Sequence, residues 1–347
     1  GGWSGHTSLL SIYVDDGGLA TSDEEERQRL MEFLCSKFKM VDLGQMSYFI
    51  GMEVQQHAPS RTIRLHQQGY INKMLSQYNM QDCNPVATPM TQCDTIYVKG
   101  TSQELTAKER ALYMSMVGSV MYLQTCCRPD IAAPVGILAR HVQCPRREHL
   151  VAVKRLLRYL KGTSHLGLTL GGDISSLQVY CDSDWAADPV DRRSTTGYFI
   201  RFGEGLVCWK SCKQPSVSVS STEAEYKALA KCMQEFMWLR QVFSQLDLGI
   251  VFPCPVVVNQ DNQSTIYLAQ SSGIKNRTKH IDVSYHFVKD LIKDKSVYLK
   301  HCPTAEMTAD VLTKPLGNTL FLKHRGGLGL VSVFSNNSDS DPHNLSD

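Results

Sequence analysis

Apolar and polar positions alternate at the start of the chain. Across residues 9–20, LLSIYVDDGGLA, Leu10, Ile12 and Val14 alternate with Ser11, Tyr13 and Asp15, and Asp16-Gly17 is a two-residue turn signal. That pattern predicts a β-hairpin. A helix is expected over TSDEEERQRLMEFLCSKF, because Ser22 offers a capping hydroxyl and the acids after it suit the positive end of a helix. Residues 45–65 alternate again and read as further strands. Pro85, Pro89 and the polar stretch to Thr106 read as a linker, and Thr106 to Lys161 is helical in pattern, interrupted at Cys126-Cys127-Arg128-Pro129.

The texture changes after Gly171. LQVYCDSDW reads as a strand with Leu177, Val179 and Cys181 on one face, and TTGYFIRF and LVCWKS form a hairpin across Gly203-Glu204-Gly205. Thr222 to Leu246 is a long helix. PVVVNQ is a short, continuously apolar run with a polar end, as in a strand buried on both faces. A helix, a strand over SVYLKH and a last short helix over TADVLTKPL follow. Three strands, then helix, strand, helix, strand and helix, argue for an α/β mixed sheet flanked by helices. After Val333 the chain is rich in Ser, Asn and Asp, a composition that favours disorder.

Length and composition narrow the classes. With 347 residues, 42% hydrophobic and 20% charged, the chain has material for two or three packed domains. No apolar run is long enough to span a bilayer, and the start, GGWSGH, carries no secretory signal. It also lacks an initiator Met, which suggests a fragment or processed piece. Twelve Cys without any C-x-x-C argue against a zinc site and for free thiols in a reducing, intracellular setting. A net charge of +2 gives no global polybasic signal, but the last thirteen residues hold three Asp and no Lys or Arg, so the remainder carries +5.

Four acids stand where chemistry is usually placed. Asp182 ends the first strand after Gly171, although Asp182-Ser183-Asp184 is also good turn chemistry. In the long helix, positions 225, 229, 232, 236, 239 and 243 form one stripe, so Glu225 heads a row otherwise made of Leu229, Cys232, Phe236, Leu239 and Phe243. A carboxylate on that face must be paired or metal-bound to be tolerated. Glu223 falls on a solvated row, and Ser220-x-x-Glu223 fits a capping box. Asp261 ends PVVVNQ, where N-capping is the plain alternative, and Asp310 lies near a helix start that favours acids by itself. Four converging carboxylates repel one another unless cations neutralise them, so the set makes sense with Mg²⁺. Two such ions ~3.5–4 Å apart can hydrolyse a phosphodiester without a protein nucleophile. There is no G-x-S-x-G or Walker-type loop after Gly171 to suggest other chemistry.

YCDSDWA, WKSCKQPSVSVSSTEAEY, VNQDN, RTKHIDVSYHF and TADVLTKPL together resemble the ribonuclease H domain of copia-type LTR-retrotransposon Pol polyproteins. IYVDD resembles the reverse-transcriptase active-site hairpin, LGQMSYFIGMEV the segment after it, and RPDIAAPVGILAR with VKRLLRYLKGT the region joining the polymerase to ribonuclease H. The resemblance runs to about Gly317. It implies a ribonuclease H-like mixed sheet with flanking helices, preceded by a partial α+β reverse-transcriptase palm and a helical connection region. The divisions expected are 1–95 for the palm and thumb, 96–170 for the connection, 171–318 for the ribonuclease H-like domain and 319–347 for a tail, disordered at its end.

For function, the resemblance implies cleavage of the RNA strand of RNA–DNA hybrids with two Mg²⁺ ions, Mn²⁺ being a substitute. Asp182, Glu225, Asp261 and Asp310 fall at the family's catalytic and metal-binding positions, and Asp184 beside them is either a supporting acid or a turn residue. Asp15 and Asp16 match the paired polymerase acids. A reverse transcriptase needs a further Asp on an earlier strand, and only twelve residues precede Tyr13, so this piece is not expected to polymerise alone. Expected partners are an RNA–DNA hybrid and the remainder of a Pol polyprotein, in a cytoplasmic virus-like particle or the nucleus, with no membrane.

Two basic segments are candidates for nucleic-acid contact. Arg146 to Lys161 holds six basic residues and one acid, with Lys154, Arg158 and Lys161 grouped opposite an apolar stripe of Leu150, Val153, Leu157 and Leu160. Lys275, Arg277, Lys279 and His280 lie in a polar loop. His280 is a candidate for product release or proton transfer, or for a local contact with Asp282. Two alternatives stand beside the nuclease: a relic or co-opted module that binds nucleic acid without cutting it, and another ribonuclease H-like nuclease such as an integrase.

Overall fold

The computed structural model describes residues 7–91, 103–173, 176–247, 250, 252–271 and 282–333. Strands β1 (Ser8–Tyr13) and β2 (Asp16–Thr21) form the N-terminal hairpin, followed by α1 (Glu24–Lys37). The turn is Val14-Asp15, not Asp16-Gly17: Tyr13 pairs with Asp16 and Ile12 with Gly17. A Cβ on Gly18 would stand 2.8 Å from the side-chain ends Met46 Cε and Ser11 Oγ, which would have to shift to admit it. Val14 takes the left-handed conformation at φ 51°, a strained place for a β-branched residue. The cap of α1 is Asp23, whose carboxylate accepts from the Glu26 amide, while Ser22 Oγ accepts from the Thr7 amide.

A second sheet is built from β3 (Tyr48–Phe49), β4 (Met52–His57), β5 (Thr62–His66), β6 (Leu166–Gly171) and β12 (Leu330–Ser332), in the antiparallel order β12-β6-β5-β4-β3. It draws in two segments that the pattern had assigned elsewhere. Residues 166–171 are a strand inside the stretch read as a helical connection. Residues 319–332, read as the start of a tail, form nearly all of α9 (Asn318–Gly327) and β12. Between β5 and β6 run α2 (Gln68–Gln77), α3 (Ala107–Cys126), α4 (Ala132–Ala139) and α5 (Arg147–Gly162). Thr106 and Glu109 close a capping box on α3. On α5 the stripe Leu150, Val153, Leu157 and Leu160 is buried, widened by Leu156 and Tyr159.

The third sheet holds β7 (Leu177–Asp184), β8 (Thr195–Phe202), β9 (Gly205–Lys213), β10 (Val256–Gln260) and β11 (Val297–His301), ordered β11-β10-β7-β8-β9. β7, β8 and β9 are antiparallel, and β10 runs parallel to both β7 and β11. This mixed sheet with flanking helices is a ribonuclease H-like fold. One face carries Val179, Cys181, Tyr198 and Ile200 against α6 (Ser221–Leu246) and α8 (Asp282–Lys293), with α7 (Gln263–Gln270) beside them. Two helices thus separate β10 from β11, where the pattern predicted one. The other face presents Phe199, Leu206 and the part-buried Tyr180 and Trp209 to the core of α2 to α5. Trp209 Nε1 donates to Gln124 O of α3 at 2.8 Å.

Where a last short helix was expected, the chain makes 3-10 turns at Thr304–Glu306 and Thr308–Leu312. All the cysteines among the described residues are free. No helix among the described residues is long and apolar enough to cross a membrane.

Candidate active site

β7 carries Asp182 to the end of the sheet, directly across from Gly197 of β8. Asp182 is 3% exposed, and its Oδ2 accepts from Thr313 Oγ1 at 2.7 Å. Gly197 explains how Thr313 arrives there. A Cβ at that position would lie 2.6 Å from Thr313 Cγ2 and 2.9 Å from Leu312 Cβ, so only a bare Cα lets the Thr308–Leu312 turn close on β8.

Glu225 sits in the first turns of α6, on the row that faces the sheet, and is 5% exposed. Its Oε1 accepts from the Ser183 amide at 3.2 Å and its Oε2 from Gln260 Nε2 at 3.2 Å. Gln260 is itself fixed, since its Oε1 accepts from the Asn262 amide. Glu223 has a structural place: its amide donates to Ser220 Oγ, its carboxylate accepts from the Val219 amide, and Lys227 Nζ lies 2.8 Å from Oε1. Asp261 follows β10, and Thr304 Oγ1 donates to its Oδ2 at 3.1 Å. It does not cap α7; Asn262 does, accepting from the Thr265 amide.

One oxygen from each of Asp182, Glu225 and Asp261 lies within 4.8 Å of the others. Asp310, 5% exposed in the Thr308–Leu312 turn, stands beside this trio and acts electrostatically on Asp182 and Asp261. The consequence is visible in their acidities. Burial and then the charge of Asp310 push the Asp182 carboxyl up to about 7. Burial and the charge of Asp182 raise Glu225 well above the usual carboxylate range. Burial also raises Asp261, against the Thr304 hydrogen bond, and raises Asp184 despite the nearby Lys314. Lys314 Nζ is 2.9 Å from Asp310 Oδ1, but the pair is poorly aligned, leaving that buried oxygen without a well-directed hydrogen bond.

The other candidates fall differently. Asp15 and Asp16 are exposed at the hairpin tip, outside the carboxylate group, which among the described residues is the one set of three able to share a metal ion. Lys154 is exposed, but Arg158 Nε donates to Asn84 O at 2.6 Å and Lys161 Nζ to Cys83 O at 2.7 Å. These two cations tie α5 to the preceding loop. Lys275, Arg277, Lys279 and His280 lie outside the described residues. Four residues that position the acids were missed: Gln260, Thr313, Lys314 and Gly197. The available signals were a polar Gln ending an apolar strand, the polar pair inside TADVLTKPL, and a glycine in mid-strand.

The chain is 37% identical over 321 residues to the Retrovirus-related Pol polyprotein from transposon TNT 1-94 of Nicotiana tabacum, covering 90% of this chain and 24% of that protein. It is 32% identical over 228 residues to the putative transposon Ty5-1 protein of Saccharomyces cerevisiae, covering 65% of this chain and 73% of that one. The chain belongs to the Pol polyproteins of copia-type retrotransposons. Within this Pol chain, residues 2–92 match the reverse transcriptase (RNA-dependent DNA polymerase) family. The chain spans about a quarter of the length of the tobacco relative. Among solved structures, a ribonuclease H1 isolated from compost by a metagenomic approach is similar at 16% identity and a TM-score of 0.31, over 43% of this chain and 97% of that one.

Proposed function

We propose that this Pol segment is an RNA–DNA hybrid endoribonuclease, with Asp182, Glu225, Asp261 and Asp310 as its catalytic and metal-binding acids. The observation that carries the reading is the convergence of three carboxylates, two of them almost fully buried, at the strand ends of a ribonuclease H-like sheet. Like charges brought this close without full neutralisation are costly, and burial together with this repulsion makes the three carboxyls weaker acids than usual. An all-oxygen donor set of this kind fits a hard divalent cation, Mg²⁺ or Mn²⁺. When bound, such ions supply Lewis acidity and charge neutralisation for phosphodiester hydrolysis, two ions being the arrangement the acids suit.

The chain's own residues do the positioning. The Ser183 amide and Gln260 hold both oxygens of Glu225, Thr313 fixes Asp182, and Thr304 fixes Asp261. A carboxylate serves as a ligand in its ionised form, so a cation and the proton compete for Asp182. We assign residues 171–318 to the nuclease, 96–170 to the connection and 1–95 to a partial palm. Polymerisation belongs to the parent polyprotein, whose exposed acids Asp15 and Asp16 have no third acid beside them among the described residues.

The test incubates the purified chain with labelled RNA–DNA hybrid, and with duplex DNA as control, in Mg²⁺ or in EDTA. Metal-dependent cleavage of the hybrid's RNA strand, lost in Asp182→Asn and Glu225→Gln, is the expected result. Hybrid binding without cleavage overturns it in favour of a co-opted binding module.

A further inference from the structure

The helix α3 is apolar on two sides. Tyr113, Met116, Val117, Val120 and Leu123 are buried in the core, as one face of an amphipathic helix should be. The opposite row, Ala107, Ala111, Met114, Gly118, Met121 and Thr125, advances in alternating steps of four and three and is exposed along its length. Met114 is 52% exposed and Met121 44%. No residue from Ala111 to Thr125 is charged. A solvated helix face carries charges, whereas an uncharged row with this spacing is the seam by which one helix packs along another. Gly118 stands at its middle. A Cβ there would meet nothing within 4 Å among the described residues, so a facing backbone can come close.

We propose that this seam is the contact of a symmetric dimer, in which a second copy of the chain lays its own α3 antiparallel across Gly118. A two-fold axis beside Gly118 makes the row self-complementary, because Met114 of each copy then meets Met121 of the other. Charge sets the direction. Lys108 is exposed in the first turn of α3, a cation at the positive end of its own helix, while the last turn holds no basic residue for its carbonyls. An antiparallel partner brings each Lys108 to the last turn of the other helix and opposes the two helix dipoles. A parallel partner would set Lys108 against Lys108. One helix pair falls below the ~1,200 Å² at which standard interfaces begin, so a micromolar dissociation constant is expected. The inference goes beyond the nuclease reading and does not depend on it.

The experiment is sedimentation velocity of the full chain, without nucleic acid, from about 1 to about 200 µM, a span that brackets micromolar association. The wild type is expected to pass from monomer to dimer across it. Gly118→Glu and Met114→Glu should each weaken the dimer about tenfold or more, the first by setting two like charges on the axis. Both should melt no lower than the wild type, since the positions are exposed and Glu is a good helix former. Met114→Glu combined with Met121→Lys should restore the dimer, because opposite charges then meet at both ends of an antiparallel seam; in a parallel one each would face its like. A chain that stays monomeric throughout overturns the proposal and leaves the seam to a different helix. A dimer that neither single substitution weakens overturns it as well, because its contact lies elsewhere. A double variant no tighter than Met114→Glu alone overturns the antiparallel arrangement.

Discussion

Asp182 stores free energy that can be measured without any substrate. Its carboxyl is pushed from 3.8 to about 7 by burial and by the charge of Asp310. The sign follows from linkage: the folded chain holds this proton more tightly than the unfolded chain. Stability therefore falls as pH rises from about 4 to about 7, and the whole cost is present above that window. A difference of about 3 pH units at ~1.4 kcal/mol each bounds the cost at ~4 kcal/mol. Because neighbouring acids share the strain, about half of it, ~2 kcal/mol, is the working figure for one residue.

Asp182→Asn removes the charge, keeps the shape, and leaves an amide oxygen to accept from Thr313. In EDTA at pH 8 this variant should therefore be more stable than the wild type, melting about 5 °C higher at ~2–4 °C per kcal/mol. The gain should vanish near pH 4. Mg²⁺ should then favour the wild type, by ~2.7 kcal/mol at a hundredfold excess over its dissociation constant, while the variant responds weakly. Thermal melts with and without EDTA across pH 4–8 give every number needed. A variant no more stable than the wild type at pH 8 in EDTA refutes the argument that charge repulsion strains this site.

Four other substitutions separate catalytic from structural contributions. Glu225→Gln should abolish hybrid cleavage, whereas Glu223→Ala should lower stability by about 1 kcal/mol, as for a lost helix cap, with cleavage retained; a gel assay beside a melting curve distinguishes them. Gly197→Ala should cut cleavage sharply and destabilise by about 1–3 kcal/mol, since its methyl must displace the Thr308–Leu312 turn; unchanged turnover would show that the turn can yield. Asp130→Ala should lose ~3–5 kcal/mol in urea denaturation by stranding the buried Arg128 charge, and replacing both partners with apolar residues should lose less.

What the pattern of residues revealed, and what it hid, divides along physical lines. Glu225 was separable from Glu223 because an α-helix repeats every 3.6 residues, and a carboxylate on the apolar row is conspicuous. Asp182 and Asp261 were legible as the polar ends of apolar strands. The Asp310 turn was not, because a 3-10 turn buries Ala309, Val311 and Leu312 without the spacing of an amphipathic helix. The hairpin turn lies two residues before Asp16-Gly17, good local turn chemistry though that pair is, because the strands pair Tyr13 with Asp16 and Ile12 with Gly17. Lys314 was not legible because a cation four residues beyond Asp310 reads locally as an ordinary ion pair. The structural ties of Arg158 and Lys161 were equally hidden, their carbonyl partners lying more than seventy residues away in sequence.

The position of Asp310 joins the two halves of the chain. Ala309, Val311, Leu312 and Leu316 are buried in the same core as Ile131, Leu138, Tyr159 and Phe321, together with Phe199 and Leu206 from the nuclease sheet. The Thr308–Leu312 turn is therefore held from one side by β7 and β8 and from the other by the Pro129–Ile131 turn, α4 and α9. Beneath that contact, Arg128 is bidentate to Asp130 and also donates to Thr163, and Tyr159 donates to Asp130, all of it shut away from water. Such a network is costly to break and has one satisfied arrangement, so it fixes how the connection helices meet the sheet. The fourth proposed acid is thus placed by residues on both sides of the proposed boundary at 171, which makes the helices before that boundary part of the scaffold around Asp310 and not a tether to it.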